Sequence, residues 1–206
     1  MSSLKLKISF FLLAAELLSS FGVAQEPRVG APAPSFTATD SQGKTDSLDQ
    51  FRGKFVVLEW HNQGCPYTQK HYKSGNMQAL QKQWRAKGVT WFTVISSAPG
   101  QQGYVTPAEE NAYVAKMHAA PTAVLMDSQG KLGRLYDAKT TPQMFVIDPA
   151  GKLIYAGAID SRPTPDPDDI NGAQNYVSQA LIQAMAGRPV TTSSTRSYGC
   201  SVKYAD

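Results

Sequence analysis

A chain of 206 residues, 42% hydrophobic and 17% charged, suits one domain with its own core. Its formal charge of +4 comes without a basic run or interleaved aromatics, which argues against nucleic acid as a partner. Two cysteines allow one intramolecular disulfide and no other.

Residues 1–24 read as a secretory signal. Lys5 and Lys7 form a basic start, Ile8 to Val23 an apolar stretch, and Gly22-Val23-Ala24 a small-residue site for cleavage after Ala24. Glu16 interrupts the stretch, and an uncleaved anchor, which wants ~20 clean apolar residues, is the alternative. No second apolar span follows, so the mature chain is expected to be exported, periplasmic or secreted, without stable membrane insertion. Loss of two lysines and one glutamate with the signal takes the charge from +4 to +3. An oxidising compartment lets two cysteines pair and stay paired.

After an extended, Pro-rich lead, Ser35 to Thr39 reads as a short edge strand and Asp40 to Lys44 as a turn. Phe55 to Trp60 is an apolar strand. A helical stretch runs from Pro66 to about Lys87, and Gly75 should kink it or split it in two. Val89 to Ile95 is the next strand. This βαβ order implies parallel pairing. Ser96 to Tyr104 is a loop, and Thr106-Pro107-Ala108-Glu109 announces a capped helix that Pro121 ends. Thr122 to Met126 is a strand, and a short helix follows near Lys131–Tyr136. Gln143 to Ile147 and Lys152 to Ile159 form a hairpin around Asp148 to Gly151. Ser161 to Asp169 reads as a surface loop, and Asn171 to Ala186 as the last helix, closed by Gly187. The tail, residues 188–206, has no apolar period and is expected to be extended and mobile. The domain is thus placed at residues 25–187. Its fold class is α/β, a mixed sheet with helices on both faces.

Cys65 follows the Phe55–Trp60 strand by a short polar loop and precedes Pro66 at a helix start. Unpaired N–H groups at a helix N-terminus favour a thiolate and lower the cysteine pKa. The contrary reading is an ordinary buried cysteine. Trp60 and Tyr67 bracket Cys65; Trp60, Trp84 and Trp91 read as core, and Tyr67 as part of a face for a partner. His118, late on the capped helix, reads as structural.

The order of elements, with Cys65 at the first strand–helix junction and Thr141-Pro142 entering the hairpin, closely resembles the thioredoxin fold. The stretches Val29 to Phe36, Asp40…Gly43-Lys44, Phe51 to Leu58 and Thr140 to Leu153 resemble the redoxin superfamily. That group holds the alkyl hydroperoxide reductase/thiol-specific antioxidant proteins and the exported thioredoxin-like reductases. Neither catalytic signature of the group is complete here. Where a thioredoxin motif has its second cysteine stands Thr68, and where a peroxiredoxin has Pro and Thr/Ser stand Leu58 and Asn62. The nearest resemblance is the peroxiredoxin-like subgroup whose single cysteine aligns with the first of the thioredoxin pair.

The resemblance implies a cis Pro142 facing Cys65, with the backbone of Thr141 pairing to an extended substrate. It also implies that Glu59, six residues before Cys65, is a buried acid relaying protons; a solvated or lysine-paired carboxylate is the alternative. Cys200 is either the resolving partner of Cys65, a structural staple, or free. As a staple it would close roughly 135 residues and contribute about 5 kcal/mol. The Thr68 hydroxyl is expected to donate to the Cys65 thiolate. His61, Cys65 and His71 also resemble a copper site, but no metal and no cofactor is expected. The favoured function is thiol–disulfide oxidoreduction on a protein or small-molecule disulfide, with a thiol electron donor. Peroxide reduction and a non-catalytic binding module are the alternatives.

Overall fold

The computed structural model describes residues 27–205, so the expected signal segment lies outside the described residues. β1 (Thr37–Thr39) and β2 (Thr45–Ser47) make an antiparallel hairpin. Asp40 closes its turn by accepting from the backbone N–H of Gln42 and Lys44 at 2.9 and 2.8 Å. β3 (Val56–Trp60) is the fully buried centre of the main sheet. α1 (Pro66–Lys73) and α2 (Asn76–Arg85) follow as two helices, because Gly75 adopts φ +79° and breaks the run. β4 (Thr90–Ile95) returns parallel to β3. The capped helix is α3 (Pro107–Lys116), and both arms of its Thr106/Glu109 capping box are formed. β5 (Ala123–Met126) joins β4 in parallel, and α4 (Lys131–Leu135) follows. After β6 (Thr140–Thr141) come the hairpin strands β7 (Gln143–Ile147) and β8 (Leu153–Gly157). The five-stranded sheet has the order β5-β4-β3-β7-β8, its second half antiparallel. This is the mixed α/β sheet expected from the order of elements.

Strand alternation sends β3 side chains to two cores. Leu58 and Trp60 pack with Phe92, Val94 and Phe145 on one face. Val57 packs with Trp84, Trp91, Met144 and Val146 under the helices on the other. Glu59 lies one register step along, between Thr93 and Met144, and shares the helix-covered face.

Two expectations change. The last helix, α5 (Tyr176–Met185), starts later than Asn171, because Asn175 is its cap and accepts from Ser178 N at 2.8 Å. A 3-10 turn at Pro167–Ile170 and Gly172 at φ +79° occupy the preceding segment. The tail is not a loose connection. Thr195 N donates to Ala156 O at 3.1 Å, and β9 (Cys200–Ser201) pairs antiparallel with β6. Val202 is buried in the first core and Tyr204 packs on it, while Val190 and Tyr198 pack on the second. The tail uses edge-strand N–H and C=O groups that would otherwise lack partners. Among the described residues, no helix is long and apolar enough to cross a membrane.

Candidate active site

Cys65 is the N-cap of α1, and Pro66, which has no N–H to leave unsatisfied, opens the helix. The loop before it is pinned by Asn62, whose Oδ1 accepts from Gly64 N at 2.9 Å and whose Nδ2 donates to Gln102 Oε1 at 2.9 Å. The Cys65 side chain is buried. Its thiol donates to Thr141 O at 3.0 Å. The Thr141-Pro142 bond is cis and stands beside the cysteine, as the fold resemblance implies.

Cys200 arrives from the far end of the sequence. The β6–β9 register sets it opposite Thr141, whose hydroxyl donates to Cys200 O at 3.4 Å. Both cysteines are free thiols. Thr141 therefore touches both partners.

The two sulfurs are displaced in opposite directions. Burial pushes the Cys65 thiol up. The hydrogen bond from the Cys200 thiol, the backbone N–H groups of Thr68 and Cys200, and the Thr141 hydroxyl outweigh burial and hold it below the ordinary 9.0. Cys200 is pushed up to about 12, first by burial, then by its hydrogen bond to Cys65 and the negative charge there, with Lys203 opposing. Cys65 is thus the more acidic of the two sulfurs, and the thiolate is the reactive form of a cysteine. Removing the Cys200 thiol removes the largest favourable contribution to the thiolate. In reduced protein, the pH midpoint for alkylation of Cys65 is expected below that of a free thiol, and Cys200→Ala is expected to raise it. A midpoint indifferent to that substitution would assign the activation to the helix amides alone.

Thr68 acts differently from expectation. Its backbone N–H, at the third helical position, favours the thiolate, whereas its hydroxyl is buried without a hydrogen-bond partner. Tyr67 is half-buried, its ring 5.8 Å from that of Tyr198 in the tail, so its partner is this chain.

Glu59 is buried without a lysine. Its carboxylate accepts from Tyr72 OH at 2.7 Å, Trp91 Nε1 at 2.8 Å, Gln81 Nε2 at 3.2 Å and Thr93 Oγ1 at 3.4 Å. Burial raises its pKa, and these hydrogen bonds oppose the rise. His61 lies between two carboxylates, with Nδ1 3.8 Å from Glu59 and Nε2 3.9 Å from Glu110, neither at hydrogen-bonding distance. Burial takes His61 down to about 3 and, with the charge of Glu59, takes Glu110 up to about 7. His71 belongs to another cluster, bonded to Asn76 at 2.8 Å and 3.7 Å from Asp160. His61, Cys65 and His71 are therefore not brought together. Among the described residues, no group of three His, Cys, Asp or Glu is placed to hold a metal ion. His118 is exposed at φ +52° just past α3.

Sequence reasoning missed several residues around the site. Gln143 Oε1 accepts from Lys139 N and Thr140 N at 2.8 and 3.2 Å and from Ser197 Oγ at 3.3 Å, tying the cis-proline loop to the tail. Asp160, Lys70 and Tyr198 form a second tie. Their signal in the sequence is slight: Gln143 is a polar residue opening the apolar strand β7, and Lys70 lies among the polar residues of α1.

A cysteine at the N-cap of the helix that follows a central strand, opposite a cis-proline loop in a mixed five-stranded sheet, defines a thioredoxin-fold thiol protein. The chain belongs to the AhpC/TSA family, which residues 29–156 match. It is similar to the thiol-disulfide oxidoreductase ResA of Bacillus cereus, at 27% identity over 134 residues covering 65% of this chain and 72% of that protein. Among solved structures it is similar to an uncharacterized conserved protein from Geobacillus kaustophilus, with 25% identity, TM-score 0.74, and 86% of this chain and 93% of that one covered. The hypothetical protein SMc02350 from Sinorhizobium meliloti shares the fold, with 20% identity, TM-score 0.75, and coverage of 88% and 97%.

Proposed function

We propose that this chain is a thiol–disulfide oxidoreductase in which Cys65 is the nucleophile and Cys200 the resolving thiol. The family and the similarity to ResA support an oxidoreductase. The observation that carries the finer reading is the meeting of Cys65 and Cys200 across Thr141, with Cys65 the more acidic. The Cys65 thiolate attacks one sulfur of a substrate disulfide; the other substrate sulfur leaves as a thiolate and takes a proton. Cys200 then loses its proton and attacks Cys65 Sγ. The substrate's second sulfur leaves, and a Cys65–Cys200 disulfide remains. Two electrons have passed to the substrate, and an external thiol donor restores the protein. Run backwards, the same steps oxidise a dithiol. The hydrogen bonds of Glu59 run to Tyr72 in α1, not to Cys65, so we assign it the positioning of that helix and a store for one proton. Residues 1–24 motivate a site of action outside the cytoplasm.

The test starts from fully reduced protein treated with one equivalent of a small disulfide. A non-reduced digest is expected to link the Cys65 peptide to the Cys200 peptide, and Cys200→Ser is expected to stop at a mixed disulfide on Cys65. A mixed disulfide on Cys65 that persists in the wild type would remove Cys200 from the cycle. Two unmodified thiols would remove the function.

A further inference from the structure

Cys65 is covered by its own chain. Its side chain is buried, and β9 lies against the Thr140–Thr141 edge with Cys200 opposite the residue that accepts the Cys65 thiol. The approach is close enough to dictate a residue type. Gly199 has φ +127°, and a Cβ there would fall 2.0 Å from Thr141 O. Only glycine lets the backbone lie so near.

A two-residue ladder is too short to hold a segment by itself. The fastening is next to it. Tyr198 OH donates to Asp160 Oδ1 at 2.5 Å, and Asp160, only 3% exposed, also has Lys70 Nζ at 3.4 Å. Lys70 Nζ lies 5.9 Å from the centre of the Tyr198 ring and donates to Arg162 O at 2.8 Å. Lys70 and Tyr67, which packs on Tyr198, belong to α1, the helix that Cys65 caps. The covering segment is thus tied to the nucleophile's helix and to its loop.

We propose that Tyr198–Ser201 is a latched cover over Cys65, fastened by Tyr198, Asp160 and Lys70, and that a substrate disulfide in an extended polypeptide reaches Cys65 by taking this segment's place on the Thr140–Thr141 edge. The inference rests on Cys65 and Cys200 being the working pair. It also orders the cycle. The cover must lift for Cys65 to attack, and it must return for Cys200 to resolve. A looser latch therefore speeds the first step and slows the second. Residues fixed only for stability would not produce opposite effects. The Gly199 contact adds a preference for glycine immediately before the substrate cysteine.

The test uses the full chain with Tyr198→Phe and, separately, Asp160→Asn; the milder Tyr198→Phe keeps the test open if Asp160→Asn does not fold. The probe is the peptide Arg-Ser-Tyr-Gly-Cys-Ser-Val-Lys-Tyr carrying 5-thio-2-nitrobenzoate on its cysteine. Attack by Cys65 on the peptide sulfur releases coloured thionitrobenzoate, and attack by Cys200 then releases the peptide thiol. Because hydrogen bonds to charged groups are the strong ones, each variant is expected to capture the peptide about tenfold faster and resolve it about tenfold slower. A peptide with alanine in place of its glycine is expected to be captured more slowly. If wild type forms the Cys65–Cys200 disulfide while the variants leave both steps unchanged, or slow both together, the cover is wrong and the oxidoreductase reading stands. If neither a peptide adduct nor a Cys65–Cys200 disulfide forms in any of the proteins, both fall.

Discussion

Glu59→Ala is expected to lower stability by about 3–5 kcal/mol, measured by denaturant unfolding at neutral pH. The side chain lies within the central strand and is the common acceptor for Tyr72, Gln81, Trp91 and Thr93. Truncation leaves a cavity and four donors facing it. Trp91 Nε1 suffers most, since an indole N–H can only donate. Glu59→Gln separates shape from charge. Its carbonyl oxygen can keep the bonds from Trp91 and Gln81, and its amide can donate to the Tyr72 hydroxyl, which also accepts. The expected loss is about 1 kcal/mol. If alanine and glutamine proved equally damaging, the ionised carboxylate would be what the site requires, contrary to the upward pKa that burial imposes.

Stability should depend on pH through Glu110, in a direction opposite to most surface carboxylates. Burial, then the charge of Glu59, raises Glu110 from 4.5 to about 7. The folded protein therefore holds this proton more tightly than the unfolded chain. That contribution is complete below pH 4.5 and is lost as pH rises to about 7, on the order of 3 kcal/mol in all. Glu110→Gln is expected to abolish the loss and to make the protein more stable than wild type at pH 8. His61 and His71 act with the other sign. Burial holds them at about 3 and about 4, so the folded state binds fewer protons than the unfolded chain, and stability falls as pH drops below 6.5. Thermal unfolding of wild type and Glu110→Gln from pH 4 to pH 8 checks both directions. Parallel curves for the two proteins would mean that Glu110 is ionised when buried.

The sequence displays β3 and the start of α1 because an apolar run followed by Gly-Cys-Pro has few other structural meanings. Gly75 and the Thr106/Glu109 box are equally legible, since each states a local backbone requirement that no distant contact has to complete. The tail is not legible. It is held by backbone bonds to β6 and β8 and by isolated side chains such as Val202, and neither leaves a period in the sequence. The latch is hidden for a related reason. Lys70, Asp160 and Tyr198 meet only after the sheet and α1 are assembled, and each alone looks like a surface residue. The expected donor role of the Thr68 hydroxyl failed because residue type was used where backbone position decides. The setting of His61 between Glu59 and Glu110 needed α3 to be placed against β3, which no local pattern specifies.

The measurement that bears most directly on the central claim is the reduction potential of the Cys65–Cys200 couple, read by equilibrating the whole protein in thiol–disulfide buffers and quantifying the linked peptides. Catalytic pairs lie between about −270 and −120 mV, whereas structural disulfides of exported proteins typically lie below about −300 mV. A couple in which Cys65 is the more acidic sulfur and the cover must open and close is expected within the catalytic range and fully reversible. A potential below about −300 mV would make the bond a staple that holds the tail, and the account of Cys65 as a working nucleophile would be contradicted.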